Sequence, residues 1–316
     1  MKYDPQNIED GVYTDMPNEV YHENRTHYSS SSIKEAYKSN AHFKAYLERE
    51  NERKSHFDFG HAFELSITDH KEFDSSVAIY SDTEIIEQIR EERPEIKSIT
   101  STKEYQKWKQ SFYLKNAEKL IIQESGNDSL DVLTVLKKSL YSHSAAPKIL
   151  TNCEYQTSIF WTCPETGMKL KTRPDFWKPE TKDRGAVISD LKTDKDSDPS
   201  SHLKTIVNLN YPLQSVIQIK GLQHAKLIGE SFRFFWIVCS KSSPFNTEVY
   251  EFDSTDIKAF TESVDFKLSE LKRAIDKGVF LSYQPDIDYG VKTVSFPYWY
   301  KNKMGVVDSI DDINNY

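Results

Sequence analysis

An α/β fold with a helical N-terminal half is what this sequence predicts, on three observations. Apolar residues recur at helical spacing in the first half of the chain, most plainly at Leu130, Leu133, Leu136 and Leu140. Further on, the pattern shortens to aromatic and β-branched runs divided by turn-forming residues: Tyr155–Trp161, Met168–Phe176, Gly185–Lys192, Phe232–Cys239 and Thr247–Phe252. Helical spacing returns once between two of those runs, at about Tyr211 to Ile228, which is the order of an α/β core.

The elements follow in order. Residues 1–30 read as loop and short extended pieces and lead into Tyr28-Ser29-Ser30-Ser31-Ser32. Serine hydroxyls accept from the orphan amides of a first turn, so this run is expected to cap a helix from near Ile33 to about Arg49. A second helix is expected from near Phe57 through Gly60-His61-Ala62-Phe63-Glu64-Leu65. Residues 70–100 are weakly patterned. Two further helices are expected, from about Thr102 to Gln123 and from Ser129 to Tyr141, with Glu124–Asp128 as the turn between them. Tyr155–Trp161 and Met168–Phe176 read as a hairpin closed by Pro164-Glu165-Thr166-Gly167, and Gly185–Lys192 as a third strand leading to a polar loop, Thr193–Ser201. Two more strands and a long helix, roughly Thr255 to Lys277, precede an aromatic tail with Phe296-Pro297-Tyr298-Trp299-Tyr300. One domain is expected over residues 1–316: a helical elaboration to 56, a core over 57–280 and a C-terminal tail over 281–316.

Composition removes several functional classes. The 316 residues are 37% hydrophobic and 13% aromatic, enough for a packed core and unlike a disordered chain. No apolar run approaches the roughly 20 residues of a membrane helix, and the N-terminus lacks the pattern of a signal peptide, so a soluble cytoplasmic protein is expected. Cys153, Cys163 and Cys239 form no C-x-x-C pair, which argues against structural zinc or a disulfide framework and for reduced packing residues. A net charge of −8 disfavours a protein that coats DNA non-specifically, though not a DNA enzyme with a local basic groove. No phosphate-binding P-loop is present, and the nine histidines include no zinc-hydrolase spacing. Pro285-Asp286 repeats the Pro174-Asp175 dipeptide, but Asp288 and Lys292 do not follow it at the spacing of Asp190 and Lys192.

The chemistry concentrates in Arg173-Pro174-Asp175 and Ser189-Asp190-Leu191-Lys192. Residues two apart in a strand project to one face, so Asp190 and Lys192 point together, where Asp175 can converge on them. Two carboxylates and a lysine suit phosphodiester hydrolysis. Hard oxygen ligands select Mg²⁺, or Mn²⁺, which acidifies a bound water and neutralises charge on the phosphate. The lysine positions the water or stabilises the transition state. On its own a D-x-K is common; the preceding Pro-Asp, the strand context and the helix that follows raise its weight. Lys192, Lys195, Lys204 and Lys220 bracket the site as candidate backbone-tracking charges, while Asp194, Asp196 and Asp198 interleave with them as in a solvated loop.

The arrangement Pro174-Asp175 … Asp190-Leu191-Lys192 resembles the PD-(D/E)xK nuclease superfamily, and its flanks are similar to the RecE (exodeoxyribonuclease VIII) type found in phages. The resemblance runs through Gly11-Val12-Tyr13, Tyr21-His22, Ser29–Leu47, Phe59–Glu64, Glu154–Trp161, Pro164–Asp175 and Tyr211-Pro212-Leu213-Gln214. It implies a restriction-endonuclease-like core, a central mixed β-sheet flanked by helices, with the N-terminal helices added. It also implies 5′→3′ digestion of linear double-stranded DNA in recombination or repair, a single-strand annealing protein as partner, ring-shaped homo-oligomers, and the host cytoplasm as location.

Carried over residue by residue, Asp175 and Asp190 are metal ligands, Lys192 is catalytic, and Gln214 holds a DNA phosphate or orients the lysine. Where the family has a metal-binding histidine, this chain has Glu64, a harder ligand suited to Mg²⁺ and expected as the third carboxylate. The Leu191 carbonyl is a further candidate ligand. His61, one turn before Glu64, either shares the pocket or packs as a neutral ring. The family's tyrosine four residues after the glutamine is Gln218 here, and Tyr211 is the candidate to replace it. Arg173 either contacts phosphate or pairs with a carboxylate. Two other functions remain open at this stage: a structure-selective or RecB-like CRISPR-associated endonuclease, and a non-catalytic DNA- or protein-binding relative. An acidic scaffold with a coincidental D-x-K is the reading without chemistry.

Overall fold

Alternation along two adjacent strands organises the molecule. In a computed structural model, which describes residues 3–49, 55–283 and 294–305, ten strands occur among the described residues. They are β1 (Gly11–Tyr13), β2 (Val77–Tyr80), β3 (Leu120–Gln123), β4 (Glu154–Tyr155), β5 (Ser158–Thr162), β6 (Lys169–Thr172), β7 (Phe176–Lys178), β8 (Ala186–Asp194), β9 (Phe232–Ser240) and β10 (Thr247–Glu251). The main sheet has the order β10-β9-β8-β7-β4 and is mixed: β8 and β9 run parallel over nine residue pairs, and the other neighbours run antiparallel. A smaller antiparallel sheet, β1-β5-β6, and a parallel pair, β2-β3, complete the β-structure.

Helices cover both faces of the main sheet. Ile188, Trp236 and Val238 enter one core with Leu213, Val216 and Ile217 of the Tyr211–His224 helix and Leu268 and Leu271 of the Ser254–Lys277 helix. The neighbours Ile237 and Cys239 enter the opposite core with Phe59, Ala62 and Phe63 of the Ser55–Thr68 helix and Leu133, Leu136 and Leu140 of the Leu130–Ser142 helix. Burial on both faces explains why β9 reads as a continuous apolar run. The parallel β8–β9 pair needs a crossover, and the Pro199–Asn208 and Tyr211–His224 helices supply it. Gly221 lets that crossover approach the small sheet: a Cβ there would lie 2.6 Å from Thr172 Cγ2 and 3.0 Å from Trp161 Cζ3.

The N-terminal segment is tied to β6. The ammonium of buried Lys171 donates to the carbonyls of Tyr21 (2.6 Å) and Asn24 (2.7 Å), closing the end of the Asn18–Glu23 helix. Burial, with the charge of Arg25, pulls its pKa down to about 7.

Several local expectations are corrected. The Ile33–Arg49 helix is two helices, Ser30–Ala36 and Asn40–Glu48, because Ser39 turns out of the first and accepts from the His42 amide as N-cap of the second. Ser29, from the serine run, occupies the cap position of the first helix without a side-chain cap bond. The Thr102–Gln123 helix stops at Lys115, and Leu120–Gln123 is β3, drawn off by pairing with β2. Both hairpin strands are broken: β4 and β7 belong to the main sheet, β5 and β6 to the small one, with Gln156 at φ 52° in one break and Pro174-Asp175 in the other. β8 runs on to Asp194, and the expected loop ends in a helix, Pro199–Asn208, capped by Asp198. The next helix ends at His224, short of Ile228. The weakly patterned region 70–100 holds helices His70–Ser76 and Thr83–Glu92 on either side of β2. Pro285-Asp286, Asp288 and Lys292 lie outside the described residues. Cys153, Cys163 and Cys239 are free thiols, the last two buried. No helix among the described residues is long and apolar enough to cross a membrane.

Candidate active site

Asp190 sits at the centre of the main sheet, 1% exposed, and its charge is met on three sides. Lys192, two residues on along β8 and so on the same face, forms an ion pair with its Oδ2. Its Oδ1 accepts from Gln214 Nε2 (2.8 Å) and from Gln218 Nε2 (3.3 Å), one turn apart on the Tyr211–His224 helix. Gln214 also reaches the lysine, its Oε1 accepting from Lys192 Nζ at 3.3 Å. Aspartate, lysine and glutamine thus close a triangle. Such a pair buried without the amides would leave carboxylate lone pairs unsatisfied.

Asp175 enters from the break between β6 and β7. Its Oδ2 accepts from the Leu191 amide at 2.9 Å, which fixes it beside the D-x-K strand. Glu64 enters from the Ser55–Thr68 helix and accepts from the side-chain amide of Gln156, the residue in the other hairpin break. The carboxylates feel one another. Burial, then the charges of Asp190 and Glu64, hold Asp175 well above the usual carboxylate range. Burial pushes Glu64 up to about 7, the Asp190 charge adding to it and the Gln156 bond opposing it. Burial alone would lower Lys192, but the charges of Asp190 and Asp175 outweigh it and keep the ammonium protonated above the usual lysine range.

These oxygens fit a hard divalent cation in kind: three carboxylates from three elements, two of them held above the usual carboxylate range first by burial and then by the charge of Asp190. They do not form a finished cage. Among the described residues no three His, Cys, Asp or Glu side chains stand close enough to hold an ion as placed.

The structure therefore brings Asp175, Asp190, Lys192 and Gln214 into contact, directly or through Leu191, and couples Glu64 to them by charge. Tyr211 belongs to the same group, its ring centroid 5.1 Å from Lys192 Nζ. Arg173 makes its bonds within the chain: Nε to the Gln156 carbonyl (3.1 Å), Nη1 to Asn18 Oδ1 (3.3 Å) and Nη2 to the Met16 carbonyl (2.8 Å). His61 is half-buried on the Glu64 helix, within electrostatic reach of His22. Two residues escaped the sequence reading. Gln156 carried no signal beyond its place in an expected strand. Gln218 stood out only as a mismatch, although its i+4 spacing from Gln214 places both amides on one helical face.

No curated protein matches this chain. Among solved structures, a candidate exonuclease from Eubacterium rectale has the same fold at a TM-score of 0.52 and 11% identity, covering 93% of this chain and 99% of that one. The structure of SSO0001, at a TM-score of 0.24 and 14% identity over 67% of this chain and 85% of that one, is too dissimilar to carry an argument. A family model described as a PDDEXK-like domain of unknown function, DUF3799, matches residues 29–289. With a mixed sheet flanked by helices and Pro174-Asp175 placed beside Asp190-Leu191-Lys192, the chain belongs to that PDDEXK-like family.

Proposed function

We propose that this protein is a metal-dependent DNA exonuclease of RecE type, digesting linear double-stranded DNA in the 5′→3′ direction. The observation that carries the reading is the closed triangle of Asp190, Lys192 and Gln214 facing Asp175 and Glu64. A surface salt bridge needs no such arrangement, whereas phosphodiester hydrolysis needs oxygen donors and a fixed positive charge at one place.

Glu64, Asp175 and Asp190, with the Leu191 carbonyl, are the residues to hold Mg²⁺ or Mn²⁺. When bound, the cation supplies charge neutralisation at the phosphate and an acidified water. The chain's own groups do the rest. Lys192 keeps its proton and offers it to the phosphate oxygens or the attacking water. Gln214 fixes that ammonium against Asp190, and Gln218, one turn along the same helix, donates to the same carboxylate oxygen. Tyr211 shields one side of the lysine from solvent and can contact the DNA strand, as can His61. Arg173, held by three bonds within the chain, adds positive charge within electrostatic reach of Glu64. Transfer of the exposed single strand to an annealing protein, a ring-shaped oligomer and a phage setting rest on the RecE resemblance alone.

The test uses linear duplex labelled at one 5′ or one 3′ end, with Mg²⁺ and with chelator. Early loss of the 5′ label, dependence on the metal and an intact covalently closed circle are expected. Cutting of the closed circle would replace the exonuclease reading with an endonuclease one. Activity surviving Asp190→Ala would remove the site.

A further inference from the structure

Beyond Lys192, β8 carries one more residue on the same face, Asp194, and it has a buried partner. Asp194 Oδ2 lies 3.1 Å from Nδ1 of His202, on the Pro199–Asn208 helix, and the His202 ring is wholly buried. Only a protonated Nδ1 can donate to a carboxylate, so the pair fixes the tautomer, leaving Nε2 as an acceptor. Among the described residues that buried Nε2 finds no hydrogen-bond partner. What the structure gives this buried histidine is one hydrogen bond, to Asp194, and ring contacts. The ring stacks on Tyr250, with centroids 5.2 Å apart and planes at 23°, and its other neighbour is Tyr211, at 6.3 Å. Tyr250 is itself pinned, its hydroxyl donating to the Ser197 carbonyl. Asp194 is pinned by the Lys195 amide on Oδ1 (2.6 Å) and by its own carbonyl, which accepts from the Lys241 amide (2.7 Å).

We infer that Asp194, acting through the His202 ring, positions Tyr211 against Lys192. The line runs Asp194, His202, Tyr211, Lys192, with each contact given above. It begins and ends on one strand, so the loop and helix between them are registered against the lysine they enclose. Neither Asp194 nor His202 touches the reacting atoms; both are positioning residues. The role deepens the nuclease reading and rests on it for its catalytic consequence, but the positioning itself does not.

The test reads the lysine directly. In protein labelled with ¹³C at the lysine ε-carbons, the Lys192 signal carries the ring-current shift of Tyr211, and Tyr211→Leu identifies it by removing that shift. His202→Ala is expected to move the Lys192 signal toward the Tyr211→Leu position. His202→Phe, which keeps a ring but cannot donate to Asp194, is expected to do so in part and guards against a variant that fails to fold. A Lys192 signal unmoved in a folded variant of either kind overturns the inference. Turnover supplies the second readout: His202→Phe should lower kcat roughly tenfold with KM for DNA unchanged, as small misplacement of a catalytic group does. The loss should vanish in a Tyr211→Leu background, and losses that multiply would overturn the inference. A wild-type protein without Mg²⁺-dependent nucleotide release would remove the nuclease reading and leave the lysine signal to decide the positioning.

Discussion

Gln156 donates its side-chain amide to Glu64, 92 residues earlier in the chain. Its backbone faces the other way, the carbonyl accepting from Arg173 Nε and the amide reaching the Asp175 carbonyl at 3.4 Å. One residue therefore spans the helix that carries one carboxylate and the break that carries another. It does so at φ 52°, a conformation that costs a non-glycine residue roughly 1 kcal/mol. Gln156→Ala and Gln156→Gly both remove the amide bond, but only glycine relaxes the backbone. Chemical denaturation should find the glycine variant more stable than the alanine variant by about 1 kcal/mol. Both should lower activity, since Glu64 loses its tether.

Glu64→Gln should stabilise the metal-free protein at pH 8 and change it little at pH 5. Glu64 titrates near 7 in the fold against an ordinary value of 4.5. As pH rises through 4.5 the unfolded chain releases this proton first, so the fold loses stability until about pH 7, where the penalty is complete. Removing the carboxylate removes that loss, on the order of 1–3 kcal/mol. Thermal melts at the two pH values check it. Calorimetry in buffers of different ionisation enthalpy should also show protons released when Mg²⁺ binds near pH 7, and a lower Mg²⁺ affinity below it.

Lys192→Met should abolish activity by a factor on the order of 10³ or more, combining a lost transition-state donor with a misplaced Asp190. It should also destabilise the metal-free protein by about 3 kcal/mol, because a carboxylate only 1% exposed loses its counter-charge. Equal melting temperatures for variant and wild type would mean that Asp190 does not need the ammonium, and would count against the triangle.

Gly221→Ala tests the approach of the crossover helix to the small sheet. The new methyl group meets Thr172 Cγ2 at 2.6 Å, inside any real contact, and the Trp161 ring bars retreat. A loss of about 1–3 kcal/mol is expected in denaturant titration. Reduced activity should accompany it, since Gln214 and Gln218 ride on the same helix.

The D-x-K strand was legible because its chemistry follows a local rule: two residues apart means one face. Gln214 was legible only through the resemblance of Tyr211-Pro212-Leu213-Gln214 to a nuclease motif. What the sequence hid depends on partners far away in the chain. Leu120–Gln123 is four residues of apolar character, which fit a helix until Val77–Tyr80 offers them a ladder. The Tyr155–Trp161 run looks like one strand, and the left-handed turn at Gln156 that splits it leaves no mark when glutamine rather than glycine occupies it. Gln218 looked like a missing tyrosine, because an expectation about ring chemistry concealed an amide with a carboxylate to bind. His202 stood just past what reads as a solvated acidic loop, and its contacts with Asp194 and Tyr250 make it a buried residue.

The broken hairpin has a mechanical meaning. Glu64 hangs from a helix, Asp175 from the seam between two sheets, and Asp190 from the middle of the larger one. Packing and the β7–β8 ladder join these pieces, and at the carboxylates themselves the hydrogen bonds of Gln156 and Leu191 hold them in place. A cation shared by the three carboxylates would act as a clasp across the seam, locking the small sheet and the helix to the main sheet in a single turn of coordination. Stripping it would then slacken the whole hairpin, so protease sensitivity at the breaks around Gln156 and Pro174 should report metal occupancy from outside the site itself.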